Sequence, residues 1–119
     1  MSKILVVDDE RDVCNFVKNF FEERGFEVLT ALDGKQALTI AENENPLIVL
    51  LDIRMPEMDG IETLRCIKKK RPKDKVIMVT CVEDLDKMDE AKRLGAEAYI
   101  TKPLVLGELV KAVMDRIPK

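Results

Sequence analysis

Apolar residues along the chain form five short runs, and between the runs they recur every three or four positions. The runs are Ile4–Val7, Phe26–Thr30, Leu47–Leu51, Val76–Val79 and Ala98–Ile100. Most lack strict apolar–polar alternation, which is the pattern of strands covered on both faces of a parallel sheet. The intervening spacing predicts helices. Val13, Val17 and Phe20 mark the first, with Gly25 as its C-terminal stop, and Ala37, Leu38 and Ala41 mark a short second. Ile61, Leu64 and Ile67 mark a third closed by Pro72. Leu85, Met88, Ala91 and Leu94 mark a fourth stopped by Gly95, and Leu106, Leu109, Val110 and Val113 a fifth ending near Pro118. Strand and helix thus alternate five times over 119 residues, or about 24 residues per unit. That order predicts an α/β fold with right-handed crossovers and a doubly wound five-stranded parallel sheet carrying five helices on its two faces.

In such a sheet, ligands bind beyond the carboxyl ends of the strands, where the strand order reverses. The first strand ends in Asp8-Asp9, the third in Asp52, the fourth in Thr80, and the fifth leads into Lys102-Pro103. Taken singly, each has an ordinary explanation: Asp8 or Asp9 as a helix cap, Asp52 before Met55-Pro56 as turn chemistry, Thr80 as a strand end, Lys102-Pro103 as a solvated turn. Gathered on one edge they do not, because clustered carboxylates repel one another strongly at low effective dielectric. A hard divalent cation such as Mg²⁺, which takes oxygen ligands and works alongside phosphate, is the natural compensation. A carboxylate nucleophile, a source of charge neutralisation and a hydroxyl donor are what phosphoryl transfer requires.

Composition narrows the chemistry. With no histidine, Ser-His-Asp triads, Cys-His pairs and histidine-bearing zinc sites are excluded. Three cysteines, Cys14, Cys66 and Cys81, imply neither a disulfide framework nor an all-cysteine zinc site, and fit a reducing cytoplasm. The five residues Leu47–Leu51 are the longest apolar run, too short to span a membrane, and Ile4–Val7 is too short for a secretory signal. Twenty Lys and Arg against 23 Asp and Glu leave a net charge of −3, which argues against direct nucleic-acid binding. The basic run Lys68–Lys73 reads as a solvated helix end that complements the macrodipole.

At this point the residues resemble a known family. Ile4–Glu10, Leu51–Gly60, Val76–Thr80 and Gly95–Pro103 are similar, in order and spacing, to the motifs of the receiver domain of two-component response regulators, close to the chemotaxis regulators. The likeness covers residues 1–119, one receiver domain. It implies a flavodoxin-like sheet of order 2-1-3-4-5. It further implies Asp52 as phosphoacceptor and a Mg²⁺ or Mn²⁺ ion bound by Asp9, Asp52 and the backbone carbonyl of Arg54, with Asp8 acting through water. Lys102 would pair with the phosphoryl group, Thr80 would donate to it and move, and Tyr99 would be the aromatic switch. A cis bond between Lys102 and Pro103 is also implied. The implied donor is a sensor histidine kinase or phosphotransfer protein in the cytoplasm. The implied output is a downstream protein, or an output domain missing from this chain, reached through the surface of the fourth helix, fifth strand and fifth helix, with a phosphorylation-dependent dimer as a further option. The chain would be a stand-alone receiver or part of a longer regulator.

Rival readings lack their residues. A phosphatase of the haloacid dehalogenase type needs a second Asp two positions after the nucleophile, and Arg54 stands there. A flavodoxin-like cofactor carrier needs a Ser/Thr/Gly-rich phosphate loop, where this chain has Asp8-Asp9-Glu10. A receiver-shaped module that is never phosphorylated would not require every chemical residue to be present. Arg54 and Val82 occupy positions that influence phosphoryl lifetime in the family. Val82 cannot orient an attacking water, so slow self-dephosphorylation is expected. Cys81, beside Thr80, reads as a buried and inert thiol.

Overall fold

The computed structural model describes residues 2–55 and 57–117, apart from the side chains of Val82, Glu83 and Leu85. Expectations resting on Pro56, on Pro118 and on the side chains of Val82 and Leu85 lie outside the described residues. The strands are β1 (Lys3–Val7), β2 (Glu27–Ala31), β3 (Ile48–Asp52), β4 (Lys75–Thr80) and β5 (Ala98–Thr101). They form one parallel sheet of order β2-β1-β3-β4-β5. The helices are α1 (Arg11–Glu22), α2 (Gly34–Glu44), α3 (Gly60–Lys70), α4 (Met88–Arg93) and α5 (Leu106–Met114).

Alternation along the strands sorts their side chains between two cores, although both faces are apolar. Leu5, Val7, Val49, Leu51, Val76 and Met78 pack against Ala37 and Ala41 of α2, Leu64 and Ile67 of α3, and Met88 and Ala91 of α4. Their neighbours Ile4, Val6, Ile48, Leu50, Ile77 and Ile100 pack against Cys14, Val17 and Phe21 of α1 and Leu109 and Val113 of α5. This double burial explains why the strands read as continuous apolar runs. Local signals set the helix ends. Asp33 accepts from the Gln36 backbone N–H at 2.8 Å, while the Gln36 side chain accepts from the Leu32 N–H at 3.0 Å, a reciprocal cap on α2. Asp59 caps α3 through the Glu62 N–H at 2.9 Å. Gly25 and Gly95, the expected stops, adopt φ of 90° and 102°.

Two expectations need correction. The fourth helix does not run unbroken from Leu85: a 3₁₀ turn spans Val82–Lys87 and α4 begins only at Met88. Within that turn Asp84 is buried, its N–H donates to the Cys81 carbonyl, and its carboxylate is held by Arg54, so the chain winds tightly there before the helix starts. The basic run is also only partly a solvated face. The Lys68 Nζ donates to the Asp74 carbonyl at 2.6 Å and to Glu97 Oε1 at 2.7 Å, and Arg71 Nε donates to Asp74 at 2.7 Å. Glu97 in turn accepts from the Val76 N–H at 2.6 Å, so these charges tie α3 to the entry of β4 and β5.

Candidate functional site

The site sits where the order reverses about β1. Val7 of β1 faces Leu51 of β3, so Asp8 and Asp52 emerge side by side at the carboxyl edge. The ladder continues past both strands: the Asp8 N–H donates to the Ala31 carbonyl and the Ile53 N–H to the Val79 carbonyl, each at 3.1 Å. Both acids are 3% exposed. Each uses Oδ1 to accept from the amide two residues on, Asp8 from Glu10 at 2.9 Å and Asp52 from Arg54 at 3.2 Å. These are Asx turns, which orient the carboxylates through the local chain. The second oxygens meet on one ammonium: Lys102 Nζ lies 3.4 Å from Asp8 Oδ2 and 3.2 Å from Asp52 Oδ2. The Lys102 N–H donates to the Thr80 carbonyl at 2.7 Å, which ties the end of β5 to that of β4, and the Lys102-Pro103 bond is cis.

This geometry decides the protonation. Burial pushes the Asp52 carboxyl up, the nearby Asp8 charge pushes the same way, and Lys102 only partly offsets them, leaving it at about 6. Burial works against the Lys102 ammonium, but Asp52 and Asp8 outweigh it, so its pKa rises and it stays charged at neutral pH. Behind the site Cys14 is buried, its thiol donating to the Asp8 carbonyl at 3.3 Å, and burial pushes that thiol up.

The remaining expected residues fall around this centre. Asp9 is exposed and, with Ile53, Arg54, Met55, Asp59 and Lys87, lines an open groove of about 430 Å³ beside Asp52. Its carboxylate groups with those of Asp8 and Glu10, oxygens of all three lying within 4.8 Å of one another. Glu10 thus joins the acidic set, a member that strand-end reasoning passed over because it lies a residue beyond the pair Asp8-Asp9. An all-oxygen donor set of this kind fits a hard divalent cation. Thr80 is fully buried at the end of β4, but its hydroxyl donates to the Cys81 carbonyl at 3.0 Å and not to Asp52. Tyr99 of β5 is 45% exposed, with Lys92 Nζ 5.4 Å from its ring centre. It borders a hollow of about 270 Å³ between α4 and β5, lined by Met78, Met88 and Ala91. Cys81 is half-buried, more open than expected, because it sits where β4 leaves the core. Sequence reasoning also missed the ion pair between Arg54 Nε and Asp84 Oδ2 at 2.6 Å, whose partners lie 30 residues apart.

Comparison with known proteins adds three findings. The family described as the response regulator receiver domain matches residues 4–114. The sporulation initiation phosphotransferase F of Bacillus subtilis is 38% identical over 116 residues, covering 98% of this chain and 94% of that protein. Several other curated relatives are longer, and the chain spans about half of their length. Among solved structures, a response regulator receiver domain protein from Clostridium thermocellum superposes with a TM-score of 0.93 at 36% identity, covering 98% and 94% of the two chains. The response regulator TrrA of Thermotoga maritima, in complex with Mg²⁺-BeF, gives a TM-score of 0.89 at 32% identity, over 98% and 100%.

Proposed function

The chain belongs to the response regulator receiver domain family, whose work is two-component signalling, and on that premise we propose that Asp52 is its phosphoacceptor. The observation that carries the reading is one lysine ammonium shared by two buried carboxylates at the carboxyl edge of the sheet. A buried ion cluster of this sort contributes little net stability, so its arrangement points to chemistry. With a pKa of about 6, Asp52 is mostly ionised at pH 7 to 8 and ready to act as a nucleophile.

In the proposed reaction an Asp52 carboxylate oxygen attacks the phosphorus of a phosphohistidine on a sensor kinase or phosphotransfer protein. The new O–P bond forms as the P–N bond breaks, and its electron pair stays with the imidazole nitrogen. The transferred group carries its charge on three peripheral oxygens. Lys102, already at Asp52, meets one of them. Receiver domains are generally Mg-dependent. In this chain Asp9, Asp52 and the Arg54 carbonyl would hold Mg²⁺ or Mn²⁺, with Asp8 acting through water, and the ion would supply further neutralisation of phosphoryl charge.

The switch follows from charge. A phosphoryl group adds about −1.5 to −2 at Asp52. The Thr80 hydroxyl leaves the Cys81 carbonyl to donate to it, and Tyr99 turns from solvent into the space vacated. The surface of α4, β5 and α5 then differs between the two states, which is what a downstream protein or output domain, or a second copy in a phosphorylated dimer, must sense. The chain is thus a signalling phosphoacceptor over residues 1–119 that promotes only its own phosphorylation and slow dephosphorylation, with no substrate turned over. Among the described residues no helix is long and apolar enough to cross a membrane. A cytoplasmic setting and a protein partner, not nucleic acid, fit the reading.

Incubation with acetyl phosphate and Mg²⁺, followed by intact mass, is expected to add one phosphoryl group, absent in Asp52→Ala and after chelation. Labelling of Asp52→Ala equal to that of the parent would overturn the assignment.

A further inference from the structure

Asp84 is 5% exposed, yet both basic groups that face its carboxylate belong to the rim of the groove beside Asp52. Arg54 Nε donates to Asp84 Oδ2 at 2.6 Å, and Lys87 Nζ lies 3.8 Å from Asp84 Oδ1. Arg54 also fixes the nucleophile, since its backbone N–H holds Asp52 Oδ1. The described charges lining that groove are therefore two cations already matched to a buried anion and two exposed acids, Asp9 and Asp59. Asp52 itself is 3% exposed and is followed by Ile53 and Arg54 in the lining of this groove, so a small donor that approaches through the groove passes this rim.

Resting on the phosphoacceptor reading above, we propose that Asp84 determines which phosphodonors the site accepts, by neutralising Arg54 and Lys87 at the groove. A small, highly charged phosphodonor depends on the local potential to dock. Paired with the Asp84 carboxylate, the two cations offer such a donor little net attraction, and Asp9 and Asp59 repel it. A phosphohistidine protein also docks through its own protein surface and so depends less on this rim. Asp84 thereby biases the site toward protein donors. It acts through Arg54 and Lys87 and touches no reacting atom, so it is a positioning and specificity residue, not a catalytic one. With acetyl phosphate the step is balanced: an Asp52 oxygen bonds to phosphorus, the P–O bond to the acetyl group breaks, and acetate leaves with the electron pair.

The test measures initial rates of phosphorylation at saturating Mg²⁺ and pH 8, with acetyl phosphate and with the less charged phosphoramidate. Asp84→Asn and Asp84→Ser both remove the charge and keep a polar group in the turn, so either folded variant suffices. Expected is a half-saturating acetyl phosphate concentration lower by roughly threefold or more, with the maximal first-order phosphorylation rate within twofold, and a smaller change for phosphoramidate. Arg54→Gln is expected to raise that half-saturating concentration, and in its background the Asp84 substitution should lose at least half its effect. An unchanged or higher half-saturating concentration for acetyl phosphate, a fall in the maximal rate alone, or an effect undiminished by Arg54→Gln would overturn the proposal. A parent chain that takes no phosphoryl group from any donor would overturn the phosphoacceptor reading as well, which separates the two failures.

Discussion

Asp52 is held in a state that opposes its own ionisation. Its folded pKa of about 6 lies above its ordinary 3.8, first because of burial and then because of Asp8. The folded chain therefore holds this proton more tightly than the unfolded one. Between about pH 4 and pH 6 the metal-free protein should lose stability as pH rises, by at most about 3 kcal/mol, and above pH 6 that loss stays constant. Asp52→Asn removes the penalty while keeping the shape. It is expected to raise the metal-free melting temperature at pH 8 by several degrees, while abolishing phosphorylation. Thermal melts of parent and variant at pH 4 and pH 8 check this: the gap should be wide at pH 8 and narrow at pH 4. A variant that melts below the parent at pH 8 would show that Lys102, and not burial, governs the carboxyl.

At the scale of elements, the site depends on how closely α3 approaches β3. The Gly60 N–H donates to the Ile53 carbonyl at 2.8 Å, and a Cβ at position 60 would collide with the Asp52 carbonyl oxygen and meet Ile53 Cα at 2.6 Å. Both obstacles are backbone and neither can swing aside. Gly60→Ala should therefore destabilise the protein by about 2 kcal/mol or more and slow phosphorylation, because relief of the clash displaces the acceptor strand. Denaturant unfolding with the acetyl phosphate rate reads both effects. The N-cap of α2, which touches neither Asp52 nor Lys102, provides the contrast. Asp33→Ala removes the acceptor for the Gln36 N–H, and is expected to lower stability by about 1 kcal/mol with the phosphorylation rate unchanged.

For the whole molecule, the proposed binding of a divalent cation would be linked to folding. Asp8 follows β1 and Asp52 ends β3, strands that neighbour one another only in the folded sheet, so the unfolded chain does not bring the two together. Mg²⁺ should raise the melting temperature with concentration, stabilising the fold by about 2.7 kcal/mol at a hundred times its dissociation constant, and a chelator should reverse the rise. The shift is expected to shrink in Asp9→Ala; calorimetric scans across a Mg²⁺ series measure it. An opposite edge of the sheet carries purely structural charge. Glu97 joins Lys68 of α3 to the Val76 amide of β4, so Glu97→Ala should destabilise without altering Mg²⁺ binding.

Strand and helix order, helix cover on both faces of the sheet and the residues that stand at the strand ends were legible in the chain because they follow from local spacing. Runs such as Leu47–Leu51 are apolar throughout only if both faces are covered, and Asp8, Asp52, Thr80 and Lys102 stand at strand ends whatever the details of packing. Tertiary structure alone decided how those groups meet. That Lys102 divides its ammonium between Asp8 and Asp52, and that Arg54 reaches Asp84 across 30 residues, are facts of distance between separate elements. The same is true of Lys68, whose place in a basic run suggested open solvent until Glu97 was brought beside it. Periodicity records which face of an element is buried, but the partner of a charged side chain depends on which other element the fold delivers to it.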